Sequence, residues 1–192
     1  SLMFVFGSFI GIISGYIGGL FDNIVMRIVD VFLAFPSLVL AIAVAGVLGG
    51  GMINAMIAIG VIGWTKYARL ARGEVLEIKE ETFIKAARLS GNSSMYIVFK
   101  HIMPRVLSTL IVTASLDIGT TIMEMAALSF LGLSSPLPIP EWGAMMNEGK
   151  SMIQFAPWIT IAPGIAIFII VILFNLLGDV VHDMLDPKQK EY

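Results

Sequence analysis

Long uncharged stretches alternate with short polar ones along this chain, and residues 1–21, 31–65 and 151–178 contain no Asp, Glu, Lys or Arg at all. A helix crossing a bilayer needs about 20 apolar residues, so the first and last of these stretches each predict one span. The 35-residue run from 31 to 65 is too long for one helix. The glycine cluster in GVLGGGM, residues 46–52, supplies a turn between two. A further span is expected from about Val106 to Leu133, although it carries Asp117 and Glu124. The pattern therefore predicts an all-α, polytopic transmembrane helical bundle with about five spans, forming a single transmembrane domain over residues 1–192.

Composition agrees, since 57% of the residues are hydrophobic, 14% are charged and the mean hydropathy is +0.91. Cysteine is absent, which excludes disulfides, thiolate metal sites and cysteine nucleophiles. The net charge of -2 says little about partners, but the placement of the cations says more. Of the 12 Lys and Arg, eight fall between Lys66 and Arg105; Arg27, Lys188 and Lys190 lie in loops on the same side, and only Lys150 lies on the other. The positive-inside rule then puts residues 22–30, residues 66–105 and the C-terminus in the cytosol. Residues 49–51 and a loop over about 134–157 face outward. This orientation places residue 1 outside, so an earlier inbound span is expected ahead of it; the start lacks the basic region and cleavage site of a signal peptide.

Gly7, Gly11, Gly15 and Gly19 recur at four-residue spacing, a helix stripe that admits a second backbone at close range, from this chain or another. Trp64, Trp142 and Trp158 fall near predicted span edges, as interfacial anchors do. The 12 methionines are scattered and read as adaptable packing. Asp117 and Glu124 are seven apart and so share a helix face, turned from lipid because an unpaired charge in hydrocarbon is costly. They are candidate pore-lining residues, or else polar links to a neighbouring helix.

Catalytic chemistry is missing. GAMMNEGKS, residues 143–151, has five residues between its first glycine and its Gly-Lys pair, where a phosphate-binding loop needs four. His101 and His182 stand apart, and no metal-binding or hydrolytic motif is present. No catalytic or metal residue is expected, and no cofactor in this chain.

The polar segment 66–105 carries the remaining candidates. It is helix-prone, with Arg69 and Arg72 placed to snorkel at the membrane edge and Glu81 four residues before Lys85 as a supporting pair. Gly91 ends that helix. Pro104 stands in or near the first turn of the next. Between them KAARLSG, residues 85–91, offers the small side chains of Ala86 and Ala87 to a close neighbour, which is either another protein or the lipid headgroups.

These residues resemble the cytoplasmic loop of ABC importer permeases, whose pattern is Glu-Ala-Ala, three residues, Gly, nine residues, Ile, one residue, Leu-Pro. Ala86, Ala87, Gly91 and Pro104 match with the spacing intact, while Lys85 replaces Glu, His101 replaces Ile and Met103 replaces Leu. HIMP at 101–104 is similar to the HILP of the dipeptide, oligopeptide and nickel importers. So are RIVDVFLAFPSLVLAI, ALSFLGLSSPLPIPEWGAMM and FNLLGDVVHDMLDP to other stretches of that family, in its order and over nearly the whole chain.

The resemblance implies a permease subunit in a prokaryotic inner membrane, lacking the family's first span and forming half of a pore for di- or oligopeptides or nickel. It implies a coupling helix at Lys85, Ala86, Ala87 and Gly91, with Pro104 beyond it, docked on cytosolic ATPase subunits that bind the ATP. Lys85 would remove or invert an ion pair made through the family's glutamate. Further implied partners are a second homologous permease and an extracytoplasmic substrate-binding protein, which would meet the loop around Pro136, Pro138, Pro140 and Trp142. Nucleic acid is not among them. The competing classes are a proton- or cation-coupled secondary transporter or channel using Asp117 and Glu124, and a membrane scaffold. Peptide and nickel are not separated by the sequence, although no histidine falls within a predicted span.

Overall fold

The computed structural model describes residues 2–134 and 139–185. Its elements are α-helices α1 (Leu2–Ile17), α2 (Gly19–Leu33), α3 (Ser37–Val47), α4 (Met52–Lys79), α5 (Thr82–Leu89), α6 (Ser94–Ile97), α7 (Met103–Phe130), α8 (Trp142–Gly149) and α9 (Trp158–Leu185). A π-helical turn, Val98–Ile102, joins α6 to α7, and a 3-10 turn, Lys150–Met152, follows α8. Two compact units emerge, Ser1–Phe35 with Gly63–Ile111 and Pro36–Ile62 with Val112–Tyr192.

In the first unit the glycine stripe of α1 lies against α4 of the same chain. A Cβ on Gly7 would fall 2.8 Å from Tyr67 Cβ, one on Gly11 2.8 Å from Ala71 Cβ, and one on Gly15 3.0 Å from Val75 Cβ. The carbonyls of Trp64, Ala68 and Arg72 are equally close to these three positions. Gly19 leaves the stripe. It opens α2 at φ 65° with open space beside it. Behind this contact Ile12, Ala68, Ala71, Val75 and Val29 are buried. Trp64 packs its ring edge-on to Phe6 and Phe32, at 5.4 and 6.4 Å between centroids.

Residues 22–30, expected as a loop, are helical and form most of α2. Two ion pairs, described below, give the carboxylates of this helix partners on α4. The expected span from residue 31 is in turn divided. Pro36 pushes Phe35 out of helical geometry, so α2 stops at Leu33 and α3 starts at Ser37.

In the second unit α3 ends in a turn whose Gly49, Gly50 and Gly51 all have left-handed backbone, φ 86°, 74° and 98°. The Gly50 N–H donates to the Ala45 carbonyl at 3.1 Å. Asn54, on the first turn of α4, donates its side-chain amide to the Leu48 and Gly50 carbonyls at 2.8 and 2.6 Å. The predicted turn between two helices is therefore present. The long α7 and α9 approach closely where glycines allow it: a Cβ on Gly119 would lie 2.7 Å from Asn175 Oδ1, and one on Gly178 2.7 Å from Leu116 Cδ2.

The segment expected as an outer loop holds α8, which packs on α9 and on α7. Gly143 and Gly149 make those contacts, the first against Ser129 Cβ and the second against Ile159. The sequence that imitated a phosphate loop is thus mainly a packed helix.

Among the described residues two helices are long and apolar enough to cross a membrane, Ser94–Phe130 and Trp158–Met184, with 37 and 27 residues; α2 and α3 make a third if taken together across their break. Against the expected five spans, α1 is short at 16 residues. In α4 charge enters at Lys66, leaving an apolar start of some 20 Å at 1.5 Å per residue, less than the ~30 Å hydrocarbon core. Large apolar side chains face outward along the apolar helices, Phe9, Ile53, Phe168 and Leu176 among them.

Candidate coupling site

The break at Glu80 and Glu81 separates α5 from α4 and makes it an independent eight-residue helix. Ile84 is its anchor, fully buried. On the other side Lys85 and Ala86 are exposed, Ala87 is half-buried, and Leu89 is 90% exposed. The close of the helix follows the sequence expectation. Gly91 has φ 81°, its N–H donates to Arg88 O at 3.0 Å, and the Asn92 N–H reaches back to Ala87 O at 3.3 Å. The left-handed residue thereby satisfies carbonyls that the helix end leaves free. Ser90 Oγ and Asn92 Nδ2 add bonds to the Ala86 and Ala87 carbonyls at 3.0 and 3.1 Å.

Several expected pairings are replaced by others. Lys85 Nζ meets Glu80 at 3.0 Å rather than Glu81, and this bond holds the Glu80 carboxyl below its ordinary pKa. Glu81 precedes the first helical residue, so it cannot form an i,i+4 pair on α5. It accepts instead from Arg105 Nη1, 2.9 Å from both carboxylate oxygens. Arg69 and Arg72, expected at the membrane edge, each hold a carboxylate of α2. Arg69 pairs with Asp30, and Arg72 bonds both oxygens of the buried Asp22 at 2.7 and 3.2 Å, where Ser14 Oγ also donates at 2.6 Å. Burial of Glu74, on the charged half of α4, raises its carboxyl pKa, and the neighbouring Glu77 adds to the effect against a Thr109 hydrogen bond.

The helical run as a whole begins at Ser94, capped by Ser93 Oγ on the Tyr96 N–H at 3.3 Å. Pro104, ten residues on, stands in the first turn of α7, as expected, as its second residue directly after the π turn, in which Met103 N–H bonds Val98 O. A wider turn of this kind rearranges the backbone bonding where proline cannot donate. His101, within the turn, packs edge-on to Phe83 and Tyr96 at 6.0 and 5.8 Å.

Asp117 and Glu124 are both half-buried on α7. The Asp117 backbone carbonyl accepts from Thr120 and Thr121 hydroxyls at 2.9 and 2.8 Å. The Glu124 carboxylate accepts from Ser37 Oγ at 2.9 Å, on the first residue of α3. Of the outer residues, Pro140 and Trp142 are exposed, while Pro136 and Pro138 lie outside the described residues. Between them Glu141, to which the sequence pattern assigns no role, accepts from Ser129 and from Ser134, the latter at 3.2 Å. Among the described residues no group of three or more His, Asp or Glu is arranged to hold a metal. Sequence patterning likewise gives no role to Asp22 or Arg105, and a different one to Arg72. The usable signal was opposite charge in otherwise apolar helices, at Asp22 and Arg72.

Residues 7–191 match the family described as the binding-protein-dependent transport system inner membrane component. The chain is 45% identical over 186 residues to the dipeptide transport system permease protein DppC of Alkalihalophilus pseudofirmus, covering 97% of this chain and 61% of that protein. It is 46% identical over 184 residues to the glutathione transport system permease protein GsiD of Pectobacterium atrosepticum, covering 96% and 61%. The GsiD protein of Escherichia coli O157:H7 is 47% identical over 194 residues, covering 97% and 64%. The chain thus spans about three-fifths of the length of these relatives. Its fold is similar to a chain of the MetNI methionine ABC transporter, solved in inward-facing conformations, with a TM-score of 0.69, 21% identity, and coverage of 96% of this chain and 89% of that one. The agreement of family, relatives and fold over nearly the whole sequence shows that this chain belongs to the inner membrane components of binding-protein-dependent transport systems.

Proposed function

We propose that the chain is the pore-forming part of a permease subunit in an ATP-driven importer of peptide-sized substrates, and that α5 is the element gripped by a cytosolic ATPase subunit. The observation that carries this reading is the form of α5: a separate helix with Ala86 and Ala87 towards the open side and a left-handed Gly91 closing it. Small side chains let a partner's surface reach the helix backbone, and movement of the helix would be passed to the attached spans. Residues 66–105 and the C-terminus face the cytosol in this reading, as the cation distribution favours. Lys85, already paired with Glu80, offers the ATPase a cation. Asp117 and Glu124 line the path, with Glu124 held by Ser37. Pro138, Pro140 and Trp142 meet the binding protein, and a second permease completes the pore. The relatives' dipeptide and glutathione substrates support a peptide-like class rather than nickel.

The test is co-purification and uptake. Ala87→Trp and Gly91→Val are each expected to reduce recovery of the ATPase subunits with the full-length permease about tenfold, the equivalent of roughly 1.4 kcal/mol of contact. The wild-type complex in vesicles should take up a labelled dipeptide only with ATP. Uptake driven by a proton gradient without ATP, or ATPase recovery unchanged by both substitutions, overturns the proposal.

A further inference from the structure

Around the start of α7 five side chains from three sequence segments meet on the first unit. Arg105 Nη1 bridges the two oxygens of Glu81 at 2.9 Å each, and its guanidinium lies over the Phe83 ring, 4.6 Å from the centroid. His101 packs edge-on to that same ring at 6.0 Å and to the Tyr96 ring at 5.8 Å. Glu81 and Phe83 flank the first residue of α5, whereas His101 belongs to the π turn and Arg105 to α7.

We infer that Arg105 is a positioning residue that clamps the N-terminal end of α5 to the start of α7, so that displacement of α5 moves α7 as one body. This rests on the proposed role of α5 and adds to it the part that carries the motion onward.

The linkage is mechanical. α5 is separated from α4 by the break at residues 80–81 and from α6 by the turn at 90–93, so neither neighbouring helix runs on into it. The buried Ile84 anchors the middle of α5, and the Arg105 contacts add a hold at its N-terminal end, on the side that faces α7. Two different interactions from one guanidinium, an ion pair with Glu81 and stacking on Phe83, fix both position and orientation. Lysine could replace the first but not the planar stacking. The clamp closes on α7 just past the π turn, a type of irregularity found frequently at functional sites. His101, within the turn, packs against the same Phe83 ring that Arg105 covers.

The experiment uses the full-length permease in lipid nanodiscs, alone and assembled with its ATPase subunits. These 192 residues contain no cysteine; with any cysteine elsewhere in the full-length permease replaced by serine, cysteines placed at Thr82 on α5 and Ile111 on α7 carry spin labels for distance measurement. In the wild-type a narrow distance distribution is expected, unchanged between the nucleotide-free and ATP-vanadate states. With Arg105→Gln the distribution should broaden about twofold or more, because an exposed pair of this kind holds its partner by a factor of about two to five. Glu81→Gln should do the same from the other side. Arg105→Lys should restore only part of the narrowing, and the exchange Glu81→Arg with Arg105→Glu more of it. In the complex Arg105→Gln should leave ATPase recovery and ATP hydrolysis within about twofold, while dipeptide uptake per ATP falls about fivefold.

A distribution in Arg105→Gln and Glu81→Gln as narrow as wild-type overturns the clamp. So does loss of uptake only in step with loss of ATPase recovery, which would make Arg105 a docking residue. The measurement on the permease alone reads the clamp even where no ATPase binds. Failure of wild-type ATPase recovery therefore sinks the importer reading and leaves the joint separately decided.

Discussion

Replacing Gly11 by alanine adds one methyl group, yet it should separate two helices. The new Cβ would lie 2.8 Å from Ala71 Cβ and 2.9 Å from Ala68 Cα, and it would press against the Ala68 carbonyl. The 2.8 Å approach to Ala71 must open by at least 0.6 Å to reach the 3.4 Å of ordinary contact, and the atoms opposed to it are backbone and Cβ, which cannot rotate away. Alanine gains about 1 kcal/mol over glycine in helix propensity. Forcing extra volume into a packed contact costs about 1–3 kcal/mol and more where backbone must move, so the net effect should be a loss of about 1–2 kcal/mol. Gly60 is the internal control, within α4 but with no heavy atom inside 4 Å of an added Cβ; alanine there should stabilise by about 0.5–1 kcal/mol. Thermal melting of the purified full-length protein in detergent checks both. At about 2–4 °C per kcal/mol, Gly11→Ala should melt several degrees below wild-type and Gly60→Ala slightly above it. Equal shifts, or a Gly11→Ala protein as stable as Gly60→Ala, would refute the close approach of α1 to α4.

Asp22→Asn leaves the partly buried Arg72 guanidinium without its counter-ion and should cost about 2–3 kcal/mol. Asp30→Asn, whose pair with Arg69 is 59% and 49% exposed, should cost less than about 1 kcal/mol; denaturant titration in mixed micelles compares the two, and equal losses would contradict the difference in burial. Glu74 has a raised carboxyl pKa because burial disfavours its charged form, so its protonated state favours folding. That contribution is present at acid pH and lost as pH rises through the raised pKa. Glu74→Gln should therefore raise the melting temperature at neutral pH and lose the advantage below the ordinary carboxylate range; an advantage equal at both pH values would contradict the assignment.

Much of the helical order was legible in the chain, and the exceptions have physical causes. The uncharged runs located α1, α9 and the turn at residues 49–51, because burial in a bilayer leaves little freedom in composition. The glycine stripe predicted close packing, and the small residues Ala68 and Ala71 on α4 were its unread complement. The break at Pro36 escaped because hydropathy is blind to the steric demand of proline on its predecessor. In the same way α8 escaped because a proline-rich, partly polar segment reads as loop, although its Gly143 and Gly149 sit too close to their neighbours to admit a Cβ. At the candidate site Gly91 ends the helix that carries Ala86 and Ala87, as a left-handed glycine does. The pairing of Glu81 with Arg105 was out of reach, since side-chain partners 24 residues apart follow from the path of the chain and not from local periodicity.

The turn at Gly49–Gly51 carries its own substitute for water. Asn54 fills two carbonyls of that tip with one amide group, and Gly50 returns its N–H to α3. A tip solvated from within can sink among lipid headgroups without stranding those polar atoms, each of which would cost several kcal/mol in hydrocarbon. A hydropathy scale would rate leucine at position 54 as a better membrane residue. The turn reverses that ranking, because the greasier side chain would leave the Leu48 and Gly50 carbonyls without the amide they accept from.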